Sequence, residues 1–192
     1  MNEANIQDIP KLHTKIVRKS EEIGFTMPSD LYVGSFLKTL IASKPNGRFL
    51  EIGTGIGLSL SWMIEGMDAD SKLISVDNDP ALISIASSYF GDDDRVEVIC
   101  KDGTDWIKEY SGSKFDLIFA DAWPGKYSVI DEVLDLLKVG GFYIIDDMTK
   151  QPNWPDGHED NVITLTAYLE ERNDLQLTKM NWSTGLIMAV KI

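Results

Sequence analysis

The segment 48–61, Arg-Phe-Leu-Glu-Ile-Gly-Thr-Gly-Ile-Gly-Leu-Ser-Leu-Ser, limits the possible folds of this chain more than any other stretch. An apolar run meets three alternating glycines, and a second apolar run follows. This order predicts a strand, a tight turn and a helix, because glycine permits the positive φ and the close backbone approach that such a turn requires. The turn leaves free N–H groups at a helix N-terminus, where a polar or anionic ligand is favoured. A strand–helix corner that binds nothing is the alternative.

The spacing of these glycines bears on the kind of ligand. Dinucleotide-binding turns carry the pattern Gly-x-Gly-x-x-Gly. Here Leu58 occupies the position of the last glycine, and Glu51 lies just before the first one. The sequence therefore argues against a nicotinamide cofactor.

The composition predicts a single globular domain of 192 residues that acts on small molecules. Its 31 acidic and 18 basic residues give a net charge of −13, so the average field repels nucleic acid and anionic lipid and favours small neutral or cationic substrates. No apolar run is long enough to cross a bilayer, and the first residues do not resemble a secretion signal. The single Cys100 is expected to be a buried structural thiol in a reduced, cytoplasmic protein.

Strand and helix patterns alternate along the chain, which predicts an α/β fold with a mostly parallel sheet covered by helices on both faces. One or two short helices broken at Pro10 are expected first, and a helix at 31–41 follows the loop 24–30. We divide the domain into a helical cap (1–45), a ligand-binding core (46–147) and a C-terminal helix and strand pair (148–192). Strands are predicted at 48–52, 72–77, 96–100, 115–121 and 140–147, with an antiparallel pair at 175–180 and 186–191. Helices are predicted at 58–64, from 80, around 106, at 129–137 and at 162–171.

Acidic residues follow four of the predicted parallel strands: Asp77, Asp102, Asp121 and the pair Asp146-Asp147. The carboxyl ends of such strands share one crevice, where ligands of open α/β sheets bind. Asp77 is placed to accept hydrogen bonds from both ribose hydroxyls of a nucleoside bound at the glycine turn. For Asp79 and Asp105, helix capping or a solvated position is the preferred interpretation.

This combination resembles the class I S-adenosylmethionine-dependent methyltransferases, whose acid followed by alternating glycines matches Glu51-Ile-Gly53-Thr-Gly55-Ile-Gly57. Within that class the chain is most similar to the catechol and caffeoyl-coenzyme A O-methyltransferases. The segments that match in order are Thr26-Met27-Pro28, Ser59, 121–127 and Asp146-Asp147. The resemblance implies a Rossmann-like, doubly wound, seven-stranded sheet with an antiparallel C-terminal strand.

The resemblance also implies where S-adenosylmethionine binds. The ribose would be held by Asp77 and the adenine would lie beside Asp102-Gly103, while the glycine turn with Ser59 surrounds the methionine moiety and Met27 closes over it. The full set of implied cofactor residues is Met27, Glu51, Gly53, Thr54, Gly55, Gly57, Ser59, Asp77, Asn78, Asp102, Gly103, Asp121 and Trp123.

In metal-dependent members of this family, carboxylates in the positions of Asp121, Asp146 and Asp147 hold a divalent ion, commonly Mg²⁺. Such an ion would bind the substrate oxygens and lower the pKa of the attacking hydroxyl. The sequence departs from the pattern, since Asp147 replaces an asparagine and Pro124 stands where catechol O-methyltransferase has its catalytic lysine. The catalytic candidates are Asp121 and Lys126, with a surface lysine as the alternative interpretation of Lys126. The alternative for the acids is that they cap the following segment and face solvent.

These observations predict an S-adenosylmethionine-dependent O-methyltransferase for a small hydroxylated acceptor, aromatic acceptors included. Methyl transfer requires little acid–base machinery, which agrees with a chain that has only two histidines. The alternatives are a metal-independent methyltransferase with a nitrogen or other acceptor, a non-catalytic nucleoside-binding module and a nicotinamide oxidoreductase. The family often forms homodimers.

The loop 151–158 could roof the acceptor pocket with Trp154, or Trp154 could merely pack the loop. His158 is interpreted as a solvated helix cap, not as a base. Tyr127 and Trp182 are interpreted as packing residues.

Overall fold

A computed structural model of the protein describes residues 2 and 4–192, and strands alternate with helices along it as the sequence predicts. Within those residues the strands are β1 (Arg48–Ile52), β2 (Lys72–Asp77), β3 (Val96–Cys100), β4 (Phe115–Ala120), β5 (Leu137–Ile145), β6 (Leu175–Met180) and β7 (Leu186–Lys191). The helices are α1 (His13–Ile23), α2 (Leu31–Ala42), α3 (Leu58–Gly66), α4 (Pro80–Phe90), α5 (Gly103–Glu109), α6 (Ile130–Asp135) and α7 (His158–Glu170).

The strands of the described residues form one sheet of seven in the order β3-β2-β1-β4-β5-β7-β6. The five strands β1 to β5 pair with one another in parallel. Strand β7 lies between β5 and β6 and is antiparallel to both. The predicted fold class is therefore confirmed. Strand order reverses between β1 and β4, and the carboxyl ends of these neighbours open the crevice that an open α/β sheet offers to a ligand.

The central strands β1 and β4 are buried on both faces, which is why their sequences are mostly apolar and do not alternate between apolar and polar residues. Leu50 and Ile118 belong to an apolar cluster on one face of the sheet, while Phe49, Leu117 and Phe119 belong to a cluster on the other. No helix among the described residues has the length and apolar character needed to cross a membrane.

Aspartates begin three helices by accepting backbone hydrogen bonds at the first turn. Asp30 accepts from Val33 N at 2.8 Å in α2, and Asp102 accepts from Thr104 N at 2.9 Å in α5. Asp79 accepts from Ala81 N at 2.8 Å in α4, so its interpretation as a helix cap is confirmed. The helices α4 and α5 thus start directly after the strands β2 and β3.

The structure corrects three sequence-based expectations. The thiol of Cys100 is exposed, not buried, because β3 is the edge strand of the sheet. Strand β5 begins at Leu137, three residues earlier than predicted, since the register with β4 shifts and Gly140 adopts φ 77° inside the strand. Helix α7 begins at His158 and not at residue 162. Of the segment before residue 24, only 13–23 forms a helix among the described residues.

A close contact joins α2 to α3. A Cβ atom added at Gly34 in α2 would lie 2.3 Å from Cδ1 of Trp62, whose indole is buried in α3. The same indole receives the edge of the His13 ring from α1, with 5.7 Å between ring centroids. Glycine at position 34 thus lets three helices pack against one face of the sheet.

We expect Gly34→Ala to lower the free energy of unfolding by about 1–3 kcal/mol, the usual cost of overpacking a core. Urea denaturation measures this change. Thr39→Ala, at an exposed position of the same helix, is the matched control and should stay within about 0.5 kcal/mol of the wild type. Equal stability of the two variants would show that the indole can move aside without cost.

Candidate active site

The candidate active site is a cavity of about 680 Å³ at the carboxyl ends of β1, β2, β4 and β5. The segments 25–29 and 151–155 add walls to it, and they meet where Asn153 Nδ2 donates to the Thr26 carbonyl at 3.5 Å. This volume lies in the range of roughly 300–1,000 Å³ that is typical of small-molecule sites.

The glycine turn forms one end of the cavity, and its backbone explains its composition. Gly53, Gly55 and Gly57 have φ angles of 103°, 51° and 91°, which disfavour any other residue. A Cβ at Gly53 would lie 2.6 Å from the backbone oxygen of Asp121, so the glycine also lets the turn approach the end of β4. The predicted strand, turn and helix are all present.

The side chain of Glu51 stabilises this turn through a network of buried hydrogen bonds. The side chain is fully buried and accepts hydrogen bonds from Ser59 Oγ at 2.5 Å and from Ser75 Oγ. Ser75 also shares a 2.6 Å hydrogen bond with Thr54 Oγ1 in the turn. Burial raises the pKa of Glu51 to about 7, although both hydroxyls counteract the rise. Glu51 therefore joins β1, β2 and α3, and its side chain does not line the cavity.

Asp77 lies across the turn, at the end of β2. Its Oδ2 accepts from Gly55 N at 2.9 Å, and its Oδ1 accepts from Asp79 N at 3.0 Å. The carboxylate is half-buried and lines the cavity together with the exposed Asn78. Asp77 thus both fixes the glycine turn and faces the space beside it.

The structure brings most of the residues expected for the cofactor to the cavity wall, though not all of them. Asp102 caps α5, and Gly103 packs so closely on Pro124 that an added Cβ would lie 3.0 Å from its ring. Gly57 approaches the ring of Phe90. These three residues and Glu51 lie outside the lining. Those that line it are Met27, Gly53, Thr54, Gly55, Ser59, Asp77, Asn78, Asp121 and Trp123.

Three carboxylates form the other end of the cavity. Burial and the charges of Asp146 and Asp147 raise the pKa of Asp121 well above its ordinary value. Burial and the charge of Asp147 also raise the pKa of Asp146 to about 7, against hydrogen bonds from Thr184 Oγ1 and Asp147 N. Burial raises the pKa of Asp147, whose backbone has φ 53°. The alternative that these acids face open solvent is thus wrong for Asp146, which is 2% exposed.

Lys126 lies in the same end of the cavity and is only 4% exposed, so its interpretation as a surface lysine is wrong. Its positive charge lowers the pKa values of Asp121, Asp146 and Asp147 against the effect of burial. With the described residues its Nζ makes no hydrogen bond and no ion pair within 4.0 Å. Among the described residues the ammonium therefore has no hydrogen-bond or ion-pair partner, and its Nζ lies 5.2 Å from the centroid of the Tyr127 ring.

Four rings line the wall between Lys126 and the loop 151–158. The ring centroids of Tyr127 and His158 are 5.1 Å apart and their polar atoms are 3.1 Å apart, while Trp123 and Trp154 lie 6.2 and 4.6 Å from His158. His158 is half-buried in this cluster and is not the solvated cap that we expected. Tyr127 lines the cavity in addition to packing. Trp182 packs against the rings of Tyr32 and Phe36, as predicted.

Sequence reasoning missed Thr184, which lies in the turn between β6 and β7, lines the cavity and donates to Asp146. The predicted sheet topology contains the signal that could have indicated Thr184. Because β7 is antiparallel to β5, the turn that precedes β7 lies beside the carboxyl end of β5. In the same turn, Ser183 Oγ donates to Asp30, the carboxylate that caps α2.

The carboxylates do not combine into a metal-binding group. Residues 2 and 4–192 contain no set of three or more His, Cys, Asp or Glu arranged to hold a metal ion. One oxygen of Asp146 is engaged by Thr184 and by Asp147 N, and a lysine cation lies among the acids. This donor set does not fit Mg²⁺, which requires near-octahedral oxygen ligands at about 2.1 Å.

Comparison with known proteins shows which family the chain resembles. A family model described as O-methyltransferase matches residues 8–186. A putative O-methyltransferase of Mycobacterium leprae (strain Br4923) is 29% identical over 132 residues, which cover 66% of this chain and 58% of that protein. A catechol O-methyltransferase of Mycobacterium tuberculosis is 28% identical over 121 residues, covering 61% and 55% of the two chains. The chain thus spans less than two thirds of the length of these relatives.

Among solved structures, the O-methyltransferase TomG from Streptomyces achromogenes, in complex with S-adenosylmethionine, superposes with a TM-score of 0.85 at 21% identity. The match covers 98% of this chain and 92% of TomG. At this level of identity the agreement concerns the fold, and it extends from the helical N-terminal part to β7.

The raised pKa of the buried Glu51 carboxyl group can be tested by measuring protein stability as a function of pH. The folded protein holds this proton more tightly than the unfolded chain, because burial raises the pKa from 4.5 to about 7. The resulting stabilisation is complete below pH 4.5 and is lost as the pH rises through 7. Relative to the wild type, Glu51→Gln should therefore gain about 3 kcal/mol of unfolding free energy between pH 4.5 and 8, at about 1.4 kcal/mol per pKa unit.

Urea denaturation of both proteins across this pH range measures the difference. Glu65→Gln, at an exposed position of α3, is the control and should run parallel to the wild type. A pH profile of Glu51→Gln that is also parallel to the wild type would refute the raised pKa.

Proposed function

The chain belongs to the O-methyltransferase family, and from that premise we propose that it transfers a methyl group from S-adenosylmethionine to a hydroxyl of a small acceptor. One observation supports this proposal most strongly. A single cavity joins the glycine turn and Asp77 at one end to Asp121, Lys126 and the ring cluster at the other. A cofactor and an acceptor can therefore lie in contact within it.

The end of the cavity at the glycine turn suits a nucleoside bearing an amino acid. In the proposal, the ribose hydroxyls donate to Asp77, and the methionine moiety lies over Gly53 and Gly55 near Ser59. Glu51 acts on the cofactor only through the turn that it holds, since its carboxylate is engaged by Ser59 and Ser75. Asp102 and Gly103 shape the crevice from outside the lining.

The opposite end suits a hydroxylated acceptor. S-adenosylmethionine supplies an electrophilic methyl group on a sulfonium, so the protein must hold an oxygen in line with it and exclude water. In the proposal the ionised carboxylate of Asp121 accepts the hydroxyl proton, and its raised pKa makes it a stronger base than an exposed aspartate. Trp123, Tyr127 and Trp154 offer flat apolar surface to an aromatic acceptor. No step of this proposal requires Mg²⁺, because the donor set described above does not fit it.

Asp77→Asn tests the cofactor end. The amide oxygen can keep the contact with Gly55 N, whereas the contact with Asp79 N and the charge that would hold the ribose are lost. S-adenosylhomocysteine should therefore bind about 10- to 100-fold more weakly, as expected for loss of a hydrogen bond to a charged group. Isothermal titration calorimetry measures this affinity. Asp105→Asn, at an exposed position outside the cavity, is the control and should bind as the wild type does.

Two results would contradict this proposal, one in its cofactor and one in its activity. Binding of NAD without binding of S-adenosylhomocysteine would contradict the assigned cofactor. A panel of catechols, flavonoids, hydroxy acids and coenzyme A esters with labelled S-adenosylmethionine tests the activity. Binding of S-adenosylhomocysteine with no transfer to any of these acceptors would favour a non-catalytic nucleoside-binding module.

A further inference from the structure

Lys126 is a buried lysine that lines the same cavity as three acids, and its Nζ lies 5.2 Å from the centroid of the Tyr127 ring. We propose that the ammonium of Lys126 serves as an internal cation that binds the acceptor oxygen and replaces a divalent metal ion at Asp121, Asp146 and Asp147. This inference rests on the proposed function in one respect, namely that the ligand of the ammonium is an acceptor hydroxyl.

The turn that carries Lys126 is fixed on both sides. Gly125, with φ 78°, donates from its N–H to the Ser128 carbonyl at 2.8 Å, and its own carbonyl accepts from the buried hydroxyl of Tyr143. Tyr127 N donates to the Trp123 carbonyl at 2.9 Å. The backbone on either side of Lys126 is thus held, and its side chain extends into the cavity.

The negative charges of the carboxylates in this end of the cavity explain why a cation is favourable there. Three carboxylates in one buried end of a cavity repel one another unless a positive charge lies among them. Lys126 supplies such a charge, and its three N–H donors make no hydrogen bond with the described residues. At least one donor is therefore available to a ligand in the cavity.

A divalent ion would compete with this arrangement. Placed among the same carboxylates, it would lie close to the ammonium, and like charges in a partly dehydrated site repel strongly. The oxygen of Asp146 that accepts from Thr184 and from Asp147 N is already engaged. One lysine and one divalent ion are thus alternative ways to neutralise these acids.

In the reaction, the ammonium donates a hydrogen bond to the acceptor hydroxyl and thereby lowers its pKa, while the hydroxyl proton passes to the carboxylate of Asp121. The oxygen forms a bond to the methyl carbon as the carbon–sulfur bond breaks, and the sulfur keeps the electron pair. The ammonium of Lys126 stabilises the negative charge that develops on the oxygen.

Lys126→Met and Lys126→Arg test this inference, with Lys150→Met as the matched control, because the Lys150 side chain is 76% exposed and lies outside the cavity lining. Each protein is purified with EDTA and assayed for S-adenosylhomocysteine affinity, thermal unfolding, Mn²⁺ binding by electron paramagnetic resonance, and kcat and KM for an acceptor from the panel. Calorimetry and thermal unfolding report whether each variant is folded, independently of catalysis.

We expect the wild type and Lys150→Met to keep full activity in EDTA and to bind no Mn²⁺. Lys126→Met should bind S-adenosylhomocysteine as the wild type does, lose at least about 100-fold in kcat, as for removal of one oxyanion donor, and acquire an Mn²⁺ site among the freed carboxylates. Lys126→Arg keeps the charge and should bind no Mn²⁺, so it preserves the test if the methionine variant does not fold.

Stoichiometric Mn²⁺ binding by the wild type together with loss of activity in EDTA would overturn the inference, as would an unchanged kcat in Lys126→Met. If the wild type binds S-adenosylhomocysteine but methylates nothing in the panel, the proposed function fails. The Mn²⁺ measurements then still decide whether Lys126 excludes a divalent ion.

Discussion

The hydrogen bonds that converge on the buried carboxylate of Glu51 hold together the part of the fold on which the rest depends. Ser59 and Ser75 bring the start of α3 and the middle of β2 to the end of β1, and Ser75 extends the contact to Thr54 in the turn. The turn can then adopt three positive φ angles beside Asp121. A carboxylate buried behind a site, where it touches no ligand, thus determines the shape of that site.

Most of the sheet could be predicted because its central strands are buried on both faces and their sequences are mostly apolar. Predictions failed where burial depended on position in the sheet. Cys100 also lies in a mostly apolar stretch, yet β3 has a neighbour on one side only and the thiol is exposed. The early start of β5 depends on a register shift at Gly140, which no periodicity reveals.

The cofactor end of the candidate site follows from local sequence, since strand, turn and acid lie within thirty residues of one another. The acceptor end does not. Lys126 is buried because the turn around Gly125 directs it inward, and Thr184 reaches Asp146 only through the antiparallel pairing of β7 with β5. The resemblance to metal-dependent O-methyltransferases therefore indicated a metal site at these acids. The three-dimensional structure adds the Lys126 side chain to the same end of the cavity, which the spacing of residues in the sequence could not show.

The carboxylate of Asp30 links the cavity wall to the turn between β6 and β7. One oxygen of this carboxylate caps α2, and the other accepts from Ser183 in the turn that also carries Thr184. The segment 25–29, which walls the cavity, ends at this residue. One carboxylate thus connects three parts of the site: the start of α2, the end of the wall 25–29 and the turn that carries Thr184. The wall next to the glycine turn and the support of Asp146 are therefore tied together through a single side chain.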